Sequence, residues 1–194
     1  MTINSVNILF GWYDEDKRCL KELKKRADNG DQKCLADFIG IQTELSTDAE
    51  EVHTNIELLK KLSGQGVSRA SIVLGVLYNE GLCKDSKIKD LEIFVEQDFD
   101  TSDFYLERAA EEKDPVALFM LSLHTWFRCS VYNFPDDAEL PCKPPVKEDF
   151  EKGKKWMKTF ISLADDKTAD EKTREYIQKN LPFVQGWLKS VNDK

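Results

Sequence analysis

The side chains with the clearest chemical bias in this chain are carboxylates. Between residues 79 and 114 there are 12 acidic and 5 basic residues, a local net charge of −7, against −8 for all 194 residues. Clustered like charge steers association and selects partners by sign, so this stretch favours a basic surface. Its dense centre comprises Asp90, Glu92, Glu96, Asp98, Asp100 and Asp103, with Phe94, Phe99 and Phe104 interleaved as candidate apolar anchors. A second binding-like stretch spans residues 129–146, where Tyr132 and Phe134 are costly to expose without a use, and Trp126 lies just before it. Those six carboxylates and three aromatic residues are the candidate partner-binding set.

Other residue types carry less. His53 and His124 are far apart, and no Cys/His cluster has the spacing of metal ligands, so no metal or cofactor is expected. The five cysteines (Cys19, Cys34, Cys83, Cys129 and Cys142) form an odd set without C-x-x-C spacing and read as free thiols of a reducing, cytoplasmic compartment. Asp136-Asp137 and Asp165-Asp166 are paired carboxylates in polar loops, read as solvated surface. There is no glycine-rich phosphate loop, nucleophile elbow or HExxH. The expectation is a binding protein without catalysis.

Bulk composition agrees with that reading. The pI is about 5.0, which argues against a nucleic-acid partner and against an anionic membrane surface. The first ten residues lack the positive start and apolar core of a signal peptide, and no apolar run reaches the roughly 20 residues of a membrane span. Hydrophobic residues make up 41%, glycine and proline number only 9 and 6, and helix formers dominate. An all-α protein is expected.

Helices follow from apolar spacing and end signals. Residues 14–27 carry Leu20, Leu23 and Ala27, and stop at Asn29-Gly30. Residues 31–45 carry Cys34, Leu35, Phe38 and Ile39. Thr47-Asp-Ala-Glu50 matches a capping box opening a helix with Val52, Ile56, Leu59 and Leu62, and Ser68 is placed to cap the next, which ends at Gly81. Residues 82–102 read as an insertion, with a short helical turn at Leu91, Phe94 and Val95. A helical pair follows over residues 103–127, turning at Asp114-Pro115. Four prolines (Pro135, Pro141, Pro144 and Pro145) rule out a continuous helix across the second insertion, residues 129–146. A helix resumes at 147–164. Thr168-Ala-Asp-Glu171 matches a second capping box, and Pro182 suits the first turn of a final helix.

The pairs repeat. Arg26-Ala27, Gly30, Cys34 and Phe38-Ile39 fall at the same offsets as Leu62-Ser63, Gly66, Ala70 and Leu74-Gly75, and as Ala109-Ala110, Lys113, Ala117 and Leu121-Ser122. Trp156 and Phe160-Ile161 are in phase as a partial fourth copy. The first step, from 26 to 62, is 36 residues, the size of one helix–turn–helix unit; the steps to 109 and to 160 are lengthened by the insertions.

This pattern resembles the Sel1-like repeat family, relatives of the tetratricopeptide repeats. The strongest matches are Ala70-x-x-x-Leu74-Gly75-x-x-Tyr78-x-x-Gly81 and Tyr105-x-x-x-Ala109-Ala110 followed by Asp114-Pro115-x-Ala117-x-x-x-Leu121, within a resemblance spanning residues 21–161. The chain departs from the family where Ser122 stands for the usual glycine and Thr125 for the tyrosine seen at Tyr78. The resemblance implies a short right-handed α-solenoid of three to four helical hairpins: a lead-in over 1–13, repeats over 14–164 and capping helices over 165–194. It also implies a protein-binding scaffold. The partner expected from charge is a basic protein. The two forms considered are an adaptor and an immunity protein that neutralises a basic toxin such as a nuclease. A hydrolase of the penicillin-binding Sel1-like type is the remote alternative.

Overall fold

The computed structural model describes residues 17–84, 92–131 and 147–192, except for the side chains of 17–19, 83–84, 92–94 and 128–131. Its regular structure is overwhelmingly helical. The elements are α1 (Lys17–Asp28), α2 (Gln32–Leu45), α3 (Ala49–Gly64), α4 (Ser68–Glu80), β1 (Leu82–Lys84), β2 (Glu92–Val95), α5 (Phe99–Glu111), α6 (Pro115–Val131), α7 (Lys147–Ser162), a 3-10 turn (Leu163–Asp165) and α8 (Glu171–Asn192). The chain divides into two compact units between Arg108 and Ala109.

The repeat seen in sequence is a repeat of backbone geometry. At the end of α1 the amides of Gly30 and Asp31 donate to the carbonyls of Ala27 and Arg26. After α3, Gly66 donates to Ser63 and Val67 to Leu62; after α5, Lys113 donates to Ala110 and Asp114 to Ala109. These are the paired bonds that close a helix through one left-handed residue. That residue is Gly30 (φ 92°), Gly66 (φ 85°) and Lys113 (φ 60°). Each then hands over to a helix whose small residue is buried: Cys34, Ala70 and Ala117.

In the first unit α1 packs on α2, α2 on α3 and on α4, and α3 on α4. Arg69 of α4 forms a half-buried ion pair with Asp37 of α2. Burial pushes the Asp37 carboxyl up, and the Arg69 guanidinium opposes that shift. Helix α5 is drawn close to α4: a methyl on Gly75 would lie 2.7 Å from Leu106 Cγ, so only glycine fits. The buried Ser102 hydroxyl donates to the Gly75 carbonyl at 2.7 Å, and Arg108 donates to the Ser63 carbonyl at 2.8 Å. Buried polar groups that find partners in this way fix the axial setting of a helix as well as its contact.

In the second unit α6, α7 and α8 pack against one another. A methyl on Gly153 of α7 would meet Thr125 Cγ2 of α6 at 2.1 Å. Thr125, which stands where the preceding copy has Tyr78, is therefore the small partner of that contact. Ser122, the other departure, is fully buried and donates to the Leu118 carbonyl. Phe119 of α6 touches Phe160 of α7 and Tyr176 and Trp187 of α8, with ring centroids 5.3–6.1 Å apart.

Several sequence expectations are corrected. Residues Phe94 and Val95 lie in β2, which pairs antiparallel with β1, rather than in a helical turn; Leu91 lies outside the described residues. Ile93, Phe94 and Val95 are the β-branched and aromatic residue types that suit strand pairing. Helix α5 starts at Phe99, four residues before the expected boundary. Asp48, not Thr47, caps α3, accepting from the Glu50 amide at 2.9 Å. Asp170, not Thr168, caps α8, and its carboxylate takes the Thr173 amide. A carboxylate is the stronger acceptor at the positive end of a helix, so it wins over the neighbouring hydroxyl. Ser68 is the first residue of α4, whose N-cap, Val67, makes no side-chain bond. Pro182 lies inside the continuous α8. Ile177 and Val184 are buried on either side of it, so packing holds the axis across the lost amide.

Two stability predictions follow from the turns. Lys113 is the only described non-glycine residue with a left-handed backbone. Lys113→Gly should stabilise the protein by about 1 kcal/mol, read as a melting temperature raised by about 2–4 °C; an unchanged or lower value would contradict the strain. Asp31 caps α2, and bonds from the Cys34 amide and thiol and from Arg26 hold its carboxyl down at about 2. Because the folded value lies below the unfolded one, near 3.9, this stabilisation is present above about pH 4 and is lost as pH falls towards 2. Denaturant titration of wild type and Asp31→Asn should show the gap between them shrinking over that window.

Candidate functional site

The candidate surface lies at the start of α5. The β1–β2 ladder feeds into it through Glu96, Gln97 and Asp98. Its position is set by the Asp98 amide donating to the Tyr78 carbonyl at 2.8 Å, and by the Gln97 side chain donating to the Asn79 carbonyl at 2.7 Å. Gly81, with φ 67°, has no room for a side chain, since an added methyl would meet the Val95 carbonyl at 3.0 Å. The glycine that ends α4 therefore also admits the hairpin.

Asp98 is the N-cap of α5. Its carboxylate accepts from the Thr101 amide at 3.0 Å and the Thr101 hydroxyl at 2.7 Å, and these bonds hold its carboxyl below the usual range. Both bonds are accepted by the carboxylate, so the folded protein favours its ionised form. Glu96 and Asp100 are exposed, and Asp103 is half-buried. Phe104 is 56% exposed, although Ser102, Leu106, Ala109 and Ala110 on the same helix are buried. The ring is not loose: Phe104 meets Tyr105 edge-on at 5.1 Å, and Tyr105 stacks on Tyr78 at 6.0 Å. Burial pushes the Tyr105 phenol up, so it stays neutral. Nearby on α3, Lys60 is held by Glu57 at 2.8 Å, which raises the ammonium.

Thus Glu96, Asp98, Asp100 and Asp103 come together in the first unit. Glu92 lies in β2, with its side chain outside the described residues. Asp90, Tyr132 and Phe134 lie outside them entirely. Trp126 belongs to the second unit, half-buried and stacked on Trp187 at 5.6 Å. Cys34 is free and buried, donating its thiol to Asp31; Cys19, Cys83, Cys129 and Cys142 fall outside the described side chains. His53 is exposed and His124 half-buried. Among the described residues, no three of the His, Cys, Asp or Glu side chains group as metal ligands, and no helix is long and apolar enough to cross a membrane.

A basic counterpart escaped the sequence reading. An open concavity of about 450 Å³ on α7 is lined by Glu151, Lys154, Lys155, Lys158, Thr159 and Ser162. The signal was present, since residues 152–162 hold four lysines and no acid. Glu151 pairs with Lys154 at 3.2 Å, and Lys155 lies 5.4 Å over the Trp156 ring. Both hydroxyls donate into the helix backbone, so the face presents charge rather than free hydroxyl groups.

The capping role of Asp98 is separable from its charge. Asp98→Ala should cost about 1 kcal/mol and lower the melting temperature by about 2–4 °C, whereas Asp98→Asn, which keeps an acceptor, should leave it nearly unchanged. Equal losses in both would mean that the charge, not the cap, is what stabilises α5. No family model, curated protein or solved structure matches this chain.

Proposed function

We propose that the chain is a non-catalytic, cytoplasmic protein-binding scaffold that holds a basic protein partner. Its hairpins are read as a short right-handed α-solenoid of the Sel1-like type. Three turns of one geometry, at Gly30, Gly66 and Lys113, support the repeat part of this reading. The observation that carries the binding part is the start of α5. There a large aromatic ring, Phe104, is held in water by its neighbours, beside the exposed carboxylates of Glu96, Asp98 and Asp100. An apolar anchor within a charged rim is the arrangement by which protein interfaces gain affinity from the centre and selectivity from the edge.

The test is affinity capture from the native host with wild-type bait and with the Glu96→Gln/Asp98→Asn/Asp100→Asn variant, which keeps the α5 cap. A basic protein should be retained by the wild type, and the variant should bind it roughly ten-fold more weakly at low salt. The difference should close as salt is raised. Equal retention by both baits would overturn the basic-partner reading. A single partner at one-to-one stoichiometry would make the protein an inhibitor, and several weaker partners an adaptor.

A further inference from the structure

Helix α7 buries one side and leaves the other to water. Gly153, Trp156, Met157 and Phe160 are buried, and packing against α6 and α8 fixes which face turns outwards. The outer face carries the concavity of about 450 Å³ lined by Glu151, Lys154, Lys155, Lys158, Thr159 and Ser162. At 1.5 Å per residue, the lining runs about 16 Å along the helix axis. Two of its three lysines are already held. The Lys154 side chain is 21% exposed and reaches Glu151 at 3.2 Å. The Lys155 ammonium sits 5.4 Å from the centre of the Trp156 ring. Side chains ordered before binding lose less freedom when a ligand arrives.

We infer that this concavity binds an extended acidic peptide segment of a protein partner. Three ammonium groups against one carboxylate set the sign of the ligand. The kind of ligand follows from the donors. A compact phosphate is held by converging amides at a helix start or by an arginine fork; this lining lies along the side of a helix and contains no arginine. The hydroxyls of Thr159 and Ser162 donate into the helix backbone. A single-stranded nucleic acid stacks its bases on aromatic side chains, and Trp156, the aromatic residue beside this lining, is buried. Carboxylates two residues apart on an extended chain share a side about 6.6 Å apart. That spacing is close to the rise of about 6 Å from Lys154 to Lys158. The site lies within the second unit, and it does not depend on the basic-partner reading of α5.

The probe is labelled deca-glutamate, titrated by fluorescence anisotropy at low and high salt, with folding of each variant checked by circular dichroism. Wild type should bind, more weakly as salt rises. Lys158→Gln should lose about three-fold in affinity. Lys152→Gln removes the same charge from the same helix outside the lining, and should stay near the wild-type value. Glu151→Gln, which releases Lys154 from its ion pair, should bind about two-fold more tightly. No binding, or equal losses in Lys152→Gln and Lys158→Gln, would overturn the site, the second because net charge alone would then suffice. Tighter binding of tripolyphosphate or of an oligothymidylate than of deca-glutamate would overturn the acidic-peptide assignment in favour of a phosphate ligand. A dimer of the wild type at low salt that Lys158→Gln abolishes would overturn the partner-segment assignment in favour of a second copy of this chain.

Discussion

The constraint on which most of the fold depends is the left-handed residue that closes α1, α3 and α5. One residue of positive φ lets two amides reach back to the last free carbonyls and reverses the chain within a few residues. That reversal sets the path of the helix that follows. The small side chains at Cys34, Ala70 and Ala117 are buried on the helix that follows each turn. Glycine meets the constraint without cost at Gly30 and Gly66. Lys113 meets it at some cost, and the turn there keeps the same hydrogen bonds regardless.

A second constraint is the distance of closest approach between helices. Gly75 against Leu106 and Gly153 against Thr125 leave no room for even a methyl group. Such contacts remove apolar surface from water over a long line and gain dispersion along it. They also explain which departures from a repeat pattern the structure tolerates. Thr125 is accepted because Gly153 requires a small partner, and Ser122 is accepted because its hydroxyl is satisfied within its own helix.

The acidity of the chain has a partly structural origin. Asp31, Asp48, Asp98, Asp114 and Asp170 each accept from the first-turn amides of a helix. Five charges of a protein with net charge −8 are thus held at helix starts by capping. At Asp98 the cap and the candidate binding surface coincide. The carboxylate that caps α5 is also exposed on that surface, and the bonds from Thr101 favour its ionised form. On α7, by contrast, Lys154, Lys155 and Lys158 line one concavity with a single acid, Glu151.

The helices, their approximate ends and the turn positions were legible in the sequence, because each rests on local chemistry: apolar spacing, an Asp or Gly at a terminus, a small residue at a fixed offset. The acidic stretch around Asp98 and Asp100 and the candidate anchor Phe104 were legible for the same reason. What sequence misplaced was decided by contacts distant in the chain. The Glu92–Val95 strand exists because Leu82–Lys84 pairs with it, and α8 runs through Pro182 because Ile177 and Val184 are buried on either side. Periodicity alone did not say that Phe104, rather than Phe99, is the more exposed. The approach of Leu106 to Gly75 turns α5 so that Leu106 is buried and Phe104 is exposed, a choice made by packing between helices and not by any residue acting locally.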